Sequence, residues 1–432
     1  MSAVPSPAPR PGGPLGPVPG PGFGEALRAA AGTAALSPSS HNCQPWAVAV
    51  AAGPAARRAA ARLLGDGGGD GDGDGDGDGG SGSGSGGTGT EGEERHYLVL
   101  ALDRARQLDA LPAHAAEMLV SCGLYWRLLL RALAARGWTA DRVRFTGGTG
   151  GTGDSGGPGG FGPAWPGSWS APLCVVRLRP GAPAEDPAAL HATALARRTN
   201  RAPYRAGEID PAVLEELLAP AGDTAWDTAW DTAGAGVVVR HIGDAGVRAR
   251  FAALVARHGG RDFSHGPAWR ETHSFLRRDH ADARAHGDGF ALDQLFGPLS
   301  RLRRLALRAA LAPATMGVLC LAGYHRLLAR QLAATVRAAP VLVAMGLPAG
   351  EPGPGDLVRG GARLADYWLR ATGAGLALHP VSVVLQHDDP RRRVQSLLGL
   401  PGRPFLVARL GRPTTGFPPA PRRAAEAAFR TI

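Results

Sequence analysis

The sequence predicts an α+β fold, and three observations predict it. Short apolar runs of strand character (WAVAVAA at 46–52, LCVVRL at 173–178) alternate along the chain with longer Ala/Leu-rich helical runs. About 44% of the 432 residues are hydrophobic, enough for a sizeable core. The 64 Gly and 37 Pro exceed what a core uses, and they gather into a few stretches that punctuate the pattern.

Residues 1–22 are Pro/Gly-rich with no apolar h-region, which predicts a disordered tail and no secretory signal. Glu25–Leu36 reads as a helix, Trp46–Ala52 as a buried strand and Ala55–Leu64 as a second helix. Residues 65–94, which contain GDGDGDGDGGSGSGSGGTGT, have nothing apolar to bury and read as a disordered insert; no calcium loop with its closing Glu is in register. His96–Asp103 is a strand. Ala115–Gly137 is apolar on all sides, as a central buried helix would be. A second disordered insert covers 147–162. Its Gly148-x-Gly150-x-x-Gly153 has no following helix, so it is rejected as a dinucleotide fingerprint. The strand Leu173–Leu178 closes a first half, residues 23–180.

The second half, 181–432, opens with a helix over Ala188–Ala196 and another after the N-cap pair Asp210-Pro211. A short DTAW repeat at 223–233 reads as a loop expansion, Gly236–Ile242 as a strand and Asp244–Arg257 as a helix. Residues 259–300 are irregular and aromatic-rich, and helices follow through Arg337. Then come a strand at Val341–Met345, a helix at Asp356–Thr372, a strand at Pro404–Leu410 and an Arg/Pro tail.

Net charge is +10 with a pI near 10.5, and because the chain has no Lys, all of the positive charge is Arg. That excludes a lysine Schiff base and a P-loop lysine. The arginines are spread over helix ends and loops, as a solvated face would have them, and no helix-turn-helix, RNP or zinc motif supports nucleic-acid binding. The four cysteines, at 43, 122, 174 and 320, form no C-x-x-C pair and no zinc spacing, so they read as isolated reduced thiols and no metal is expected. The longest apolar run, Ala309–Gly323, falls short of the ~20 residues of a membrane span. These features together predict a cytoplasmic protein without a membrane segment.

Two short segments carry a family resemblance. Residues 36–46 read LSPSSHNCQPW and residues 197–204 read RRTNRAPY. The first resembles the PS-x-x-N-x-QPW segment of nitroreductase-family flavoenzymes, and the second resembles that family's R-R-S/T-x-R opening. GLALHPVS at 375–382, LLGLPGRPFLVARLG at 397–411 and Pro421-Arg422-Arg423 are similar to other family stretches. In ordinary members both motifs lie in one short chain that dimerises, and the flavin mononucleotide (FMN) sits at the interface. Here each half keeps one motif. The resemblance therefore implies a nitroreductase-like fold of two related halves, a pseudo-dimer around central helices with one composite site. It is similar in this to the Acg-like fused two-domain branch, in which 259–300 is the candidate lid.

The resemblance also implies roles. Arg197 reaches the FMN phosphate, where the planar guanidinium supplies fixed bidentate donors, Arg422 and Arg423 are candidates for further phosphate contacts, and Arg198 is a further cofactor-binding candidate. Thr199 hydrogen-bonds the flavin, and Arg201 lies near its N1/O2 edge, where a cation favours the anionic reduced ring. Pro38, Ser39 and Ser40 form a turn against the flavin, Asn42 and Gln44 bond the ring or lock the loop, and Pro380, Val381 and Ser382 lie near N5. Cys43 reads as a buried spectator. No general acid, triad or metal site stands out, so the chemistry is expected at flavin N5. The function expected is an FMN-dependent oxidoreductase moving hydride between NAD(P)H, flavin N5 and a small organic acceptor, with a monomer sufficient. The alternative is a lidded FMN-binding or storage protein with little nitroreductase turnover.

Overall fold

The computed structural model describes residues 21–65, 95–146, 160–219, 236–348 and 350–432. The tail to residue 20, nearly all of both Gly-rich inserts with the rejected glycine fingerprint, and the DTAW repeat lie outside the described residues.

Eleven strands run β1 (Trp46–Val50), β2 (His96–Leu102), β3 (Trp138–Phe145), β4 (Cys174–Pro180), β5 (Val238–Ile242), β6 (Leu276–Arg277), β7 (Phe290–Ala291), β8 (Val341–Gly346), β9 (Ala377–Pro380), β10 (Pro404–Gly411) and β11 (Phe429–Thr431) among the described residues. They form two main sheets, ordered β11-β1-β2-β4-β3 and β5-β8-β10-β9, and a small β6-β7 pair. Within the main sheets every pairing is antiparallel except β1 with β11, where Val48 faces Phe429 and the chain's end joins the first half's sheet.

Both sheets are covered on both faces, which is why the inner strands β1 and β8 are apolar at every position. In β2, Leu98, Leu100 and Leu102 face the core under the helices Pro21–Ala34 and Pro112–Ala134, while Tyr97, Val99 and Ala101 face a second core with Phe161, Trp165 and Trp169. In β8, Val341, Val343 and Met345 pack toward the helix Pro354–Gly373, and Leu342 and Ala344 toward Phe251 and Val255 of the helix Ala245–His258. A one-residue slip in either strand would exchange the two sets, so register is fixed by packing on both sides.

The helices Pro112–Ala134 and Pro354–Gly373 lie between the sheets and touch backbone to backbone. A Cβ on Gly123 would sit 2.0 Å from the Val358 carbonyl oxygen, and one on Gly361 would sit 2.0 Å from that of Val120. Beside this crossing, the buried Asp366 accepts from Arg127 at 2.8 Å and from Arg131 at 3.1 Å, so the contact joins charges as well as backbones.

Several expectations change. The first helix starts at Pro21, inside the expected tail. The expected strands and long helices are present, with ends moved by a few residues. The irregular stretch 259–300 contains short helices at Arg261–Ser264, Gly266–Ser274, His280–His286 and Leu292–Phe296, tied by the β6-β7 pair. The strands β3, β9 and β11 and the helix Asp388–Leu397 are additions. Among the described residues no single helix is long and apolar enough to cross a membrane. All four cysteines are free thiols, and burial pushes Cys43 up to about 12, consistent with a spectator.

Candidate functional site

The segments 36–46 and 197–204 meet in space although roughly 150 residues separate them. Arg197 caps the C-terminus of the helix Pro187–Ala196, and the chain then turns across β9, where Asn200 N donates to Leu378 O at 3.1 Å. The Asn200 amide donates to Thr415 O at 2.8 Å, and Tyr204 Oη donates back to Asn200 O at 3.0 Å. These bonds hold the Arg-rich turn rigid without using its cations.

The opposing loop is strained. His41, Asn42 and Gln44 have φ of 50°, 54° and 53°, the only non-glycine positive values among the described residues. Such backbone costs ~1–3 kcal/mol per residue and persists only where the surroundings enforce it. Here the enforcement comes from distant chain. Asn42 Nδ2 donates to Gly289 O and Pro421 O at 3.1 and 3.0 Å, and Gln44 Nε2 donates to Gly287 O at 2.8 Å. Arg423 braces the same loop through Gln44 O at 2.9 Å.

Two neighbouring cavities that share wall residues lie between these segments. The smaller, about 70 Å³, is lined by Pro38, Ser39, Asn42, Arg197, Arg198, Thr199, Arg201 and Arg422. The larger, about 540 Å³, shares Pro38, Ser39, Thr199 and Arg201 with it and adds Ser40 and Pro380–Ser382, and its walls are largely aromatic and aliphatic. That volume is in the range of small-molecule pockets. Phe263, Trp269, Phe290 and Phe296, all from the stretch 259–300, form one wall. Twelve of the fourteen expected site residues therefore line one or both cavities. Gln44 and Arg423 line neither; both are committed to holding the strained loop.

The electrostatics of the smaller cavity are one-sided. No carboxylate among the described residues pairs with Arg197, Arg198, Arg201 or Arg422. Arg197 is buried, its Nη1 has no partner, and its guanidinium stacks 4.8 Å from the Trp368 ring. Burial, with Arg422 and Arg198 close by, holds its pKa well below the usual arginine value. Burial lowers Arg201 and Arg422 to about 10, and Arg422 Nε is also orphaned. Buried cations without counter-charge are costly, so the arrangement is built for an anion with several acceptor oxygens. A phosphate fits both the volume and the donor set.

The larger cavity instead disfavours the charged form of two of its histidines. Burial lowers His41 to about 4, and burial with Arg201 and Arg409 holds His379 well below its ordinary value. Above pH 6.5 folded and unfolded chains are both unprotonated at these positions, so they contribute no pH dependence. As pH falls from 6.5 toward 4, the unfolded chain binds protons that the folded chain refuses, and stability is lost through that window. We expect the melting temperature to fall between pH 6.5 and 4, and His379→Gln to flatten that fall in a thermal-melt series.

One residue of the cavity wall was not singled out in the sequence. Glu117, inside the apolar AAEMLVSCG run, accepts from Ser40 Oγ at 2.5 Å and from Gln386 Nε2 at 2.7 Å. A carboxylate in so apolar a helix face was the available signal.

No family model matches the chain. Over 402 residues, 93% of this chain and 92% of the relative, it is 28% identical to the protein named "Probable NAD(P)H nitroreductase PigM" of Serratia sp.. The match takes in most of both halves, so the similarity to a named nitroreductase runs over nearly the whole chain.

Proposed function

We propose that the chain is an FMN-dependent oxidoreductase of nitroreductase type, taking hydride from NAD(P)H and delivering it to a small organic acceptor. The observation that carries this reading is the pairing of cavities: four arginines without carboxylate partners around a phosphate-sized space that shares wall residues with an apolar chamber of about 540 Å³. The full-length similarity to a named NAD(P)H nitroreductase supports the reaction class.

Arg197, Arg198 and Arg422 would hold the phosphate by charge-assisted bonds. Thr199 and Arg201, shared by both cavities, would face the junction between phosphate and ring, where Arg201 favours negative charge in the chamber. Pro380, Val381 and Ser382 would bound the ring's far side. Bound there, the flavin supplies two-electron hydride chemistry at N5. The aromatic wall from 263–296 acts as a lid that limits water. We read the architecture as a fused pseudo-dimer: each main sheet repeats one strand order, with a long helix inserted at the same point, and the two helices meet Gly on Gly. One Arg-rich turn and one Pro-Ser loop then complete one site within a single chain.

The test is an absorbance spectrum of purified protein, with FMN reconstitution where needed, followed by anaerobic addition of NADH and NADPH. We expect one FMN per chain and bleaching by at least one of the two. Well-folded protein that takes up no FMN overturns the reading.

A further inference from the structure

We propose that Glu117 is the proton donor to the acceptor, recharged through a hydrogen-bonded line of Ser40, His41 and Thr272. This rests on the oxidoreductase reading and names what that reading leaves open: where the second proton of the reduction comes from.

The geometry gives the line a direction. Gln386 Nε2 donates to Glu117 Oε1 at 2.7 Å, which fixes that oxygen as an acceptor and leaves Oε2 to carry the proton. Ser40 Oγ lies 2.5 Å from Oε2 and 3.1 Å from His41 Nδ1. His41 Nε2 lies 3.2 Å from Thr272 Oγ1. The Ser40 amide is anchored separately on Ser121 Oγ at 3.1 Å, so its hydroxyl is free for the line. His41 is held at this place by its left-handed backbone. Thus Thr272 hydroxyl, neutral imidazole and Ser40 hydroxyl each have one side toward a donor and one toward an acceptor, the arrangement a proton relay requires. Glu117, Ser40, His41 and Thr272 all line the larger cavity.

Desolvation, not the surrounding charge, favours the acid form of Glu117. Its burial raises its pKa, outweighing the bonds from Ser40 and Gln386 and the nearby His114. Among the described residues, the other titratable groups lining the chamber are His41, His114, Arg201, His379 and Asp262. Of these, His114 pairs with Glu271 at 3.1 Å, and Asp262 pairs with His387 at 3.0 Å. His41 and His379 are neutral, so the cation of the chamber is Arg201 at the phosphate junction.

The step balances. The acceptor gains two electrons and one proton as the hydride that originates on NAD(P)H. Its oxygen then takes the proton of Glu117 Oε2: that O–H bond breaks, a new O–H bond forms on the acceptor, and the electron pair stays on the carboxylate. The carboxylate takes the Ser40 hydroxyl proton, Ser40 takes the Nδ1 proton of His41, and Nε2 takes one from the Thr272 side, which draws on solvent. The acceptor class follows: an uncharged, largely apolar molecule with an oxygen that becomes negative on reduction, such as a quinone.

The test has two arms on the full-length chain. In the infrared at pH 7, without flavin, wild type should show a protonated-carboxyl C=O band that Glu117→Gln lacks. Ser40→Ala and His41→Asn should slow H/D exchange of that band at least tenfold; Asn is chosen because it tolerates positive φ. In FMN-loaded protein, Glu117→Gln should slow reduction of p-benzoquinone by about 10²–10⁴-fold, and Ser40→Ala should slow it less. Absence of the wild-type band, or wild-type quinone reduction in Glu117→Gln, overturns the donor role while FMN uptake stands. A chain that takes no FMN but keeps the band overturns the oxidoreductase reading, and the donor role with it.

Discussion

Arg197→Met is expected to weaken FMN binding by about 10²–10³-fold, roughly 3–4 kcal/mol, while leaving the thermal stability of the flavin-free chain unchanged or raised. The two halves of that result have one cause. Arg197 is buried with Arg198 and Arg422 as its charged neighbours, and no carboxylate among the described residues offsets it. In the empty pocket its charge is a liability, and removing a buried uncompensated charge relieves the fold. Met fills much the same volume, keeps contact with the Trp368 ring and gives up a single bond of 3.3 Å to Leu36 O. With a phosphate present the same charge becomes the strongest donor in the pocket, and its loss is felt in full. Arg198 is half-buried and spends Nη1 on the Arg197 carbonyl, so Arg198→Met should cost less. Fluorescence titration with FMN and a thermal melt of the apo chain measure both halves. Unchanged FMN affinity in Arg197→Met would remove the anion-site argument, and an unfolded variant would show that the arginine is structural.

The sequence made the scaffold and the composite site legible to different depths, for physical reasons. Strands buried on both faces, such as WAVAV in β1 and VLVAM in β8, are uninterrupted apolar runs and stand out. β3 does not: WTADRVRF sits at a sheet edge, its outer positions are Asp and Arg, and its alternation resembles a polar loop. β9 and β11 have four and three residues, too few for any period, and they exist because β10 and β1 offer them an edge. Half of the helix Asp388–Leu397 is charged, it has a Pro in its first turn, and it gains its place by burying Val394. At the site, arginines and the Pro-Ser loop were legible because their chemistry is carried in a short span. Gln44 and Arg423 hold the loop, one of the two roles left open for Gln44, and sequence does not reveal which polar side chain is spent on backbone. Glu117 was hidden for the converse reason: its meaning comes from Ser40 and Gln386, 77 and 269 positions away.

Gly123→Ala and Gly361→Ala are each expected to destabilise the chain by about 3 kcal/mol or more, at the upper end of overpacking effects. The obstacle is a backbone carbonyl oxygen 2.0 Å from the new Cβ, and no rotamer change relieves it. The long helices would have to part, and their residues belong to both halves' cores: Val358 and Leu369 pack into the first, Val120 and Leu124 into the second. Separation would also stretch the Arg127–Asp366 pair. The larger cavity is bounded by Glu117, Val120, Ser121 and Leu124 from one helix and by Leu364 and Trp368 from the other, so its shape depends on the same contact. Gly32→Ala provides the control: a helical glycine with nothing within 4 Å, where Ala should stabilise by up to ~1 kcal/mol. Urea denaturation of the three variants decides the matter. A fall in midpoint confined to Gly123 and Gly361, with reduced FMN occupancy in both, ties the stability of the scaffold to the shape of the cavity. Near-neutral effects at both positions would show that the helices can slide apart at little cost, and that the crossing does not set the site.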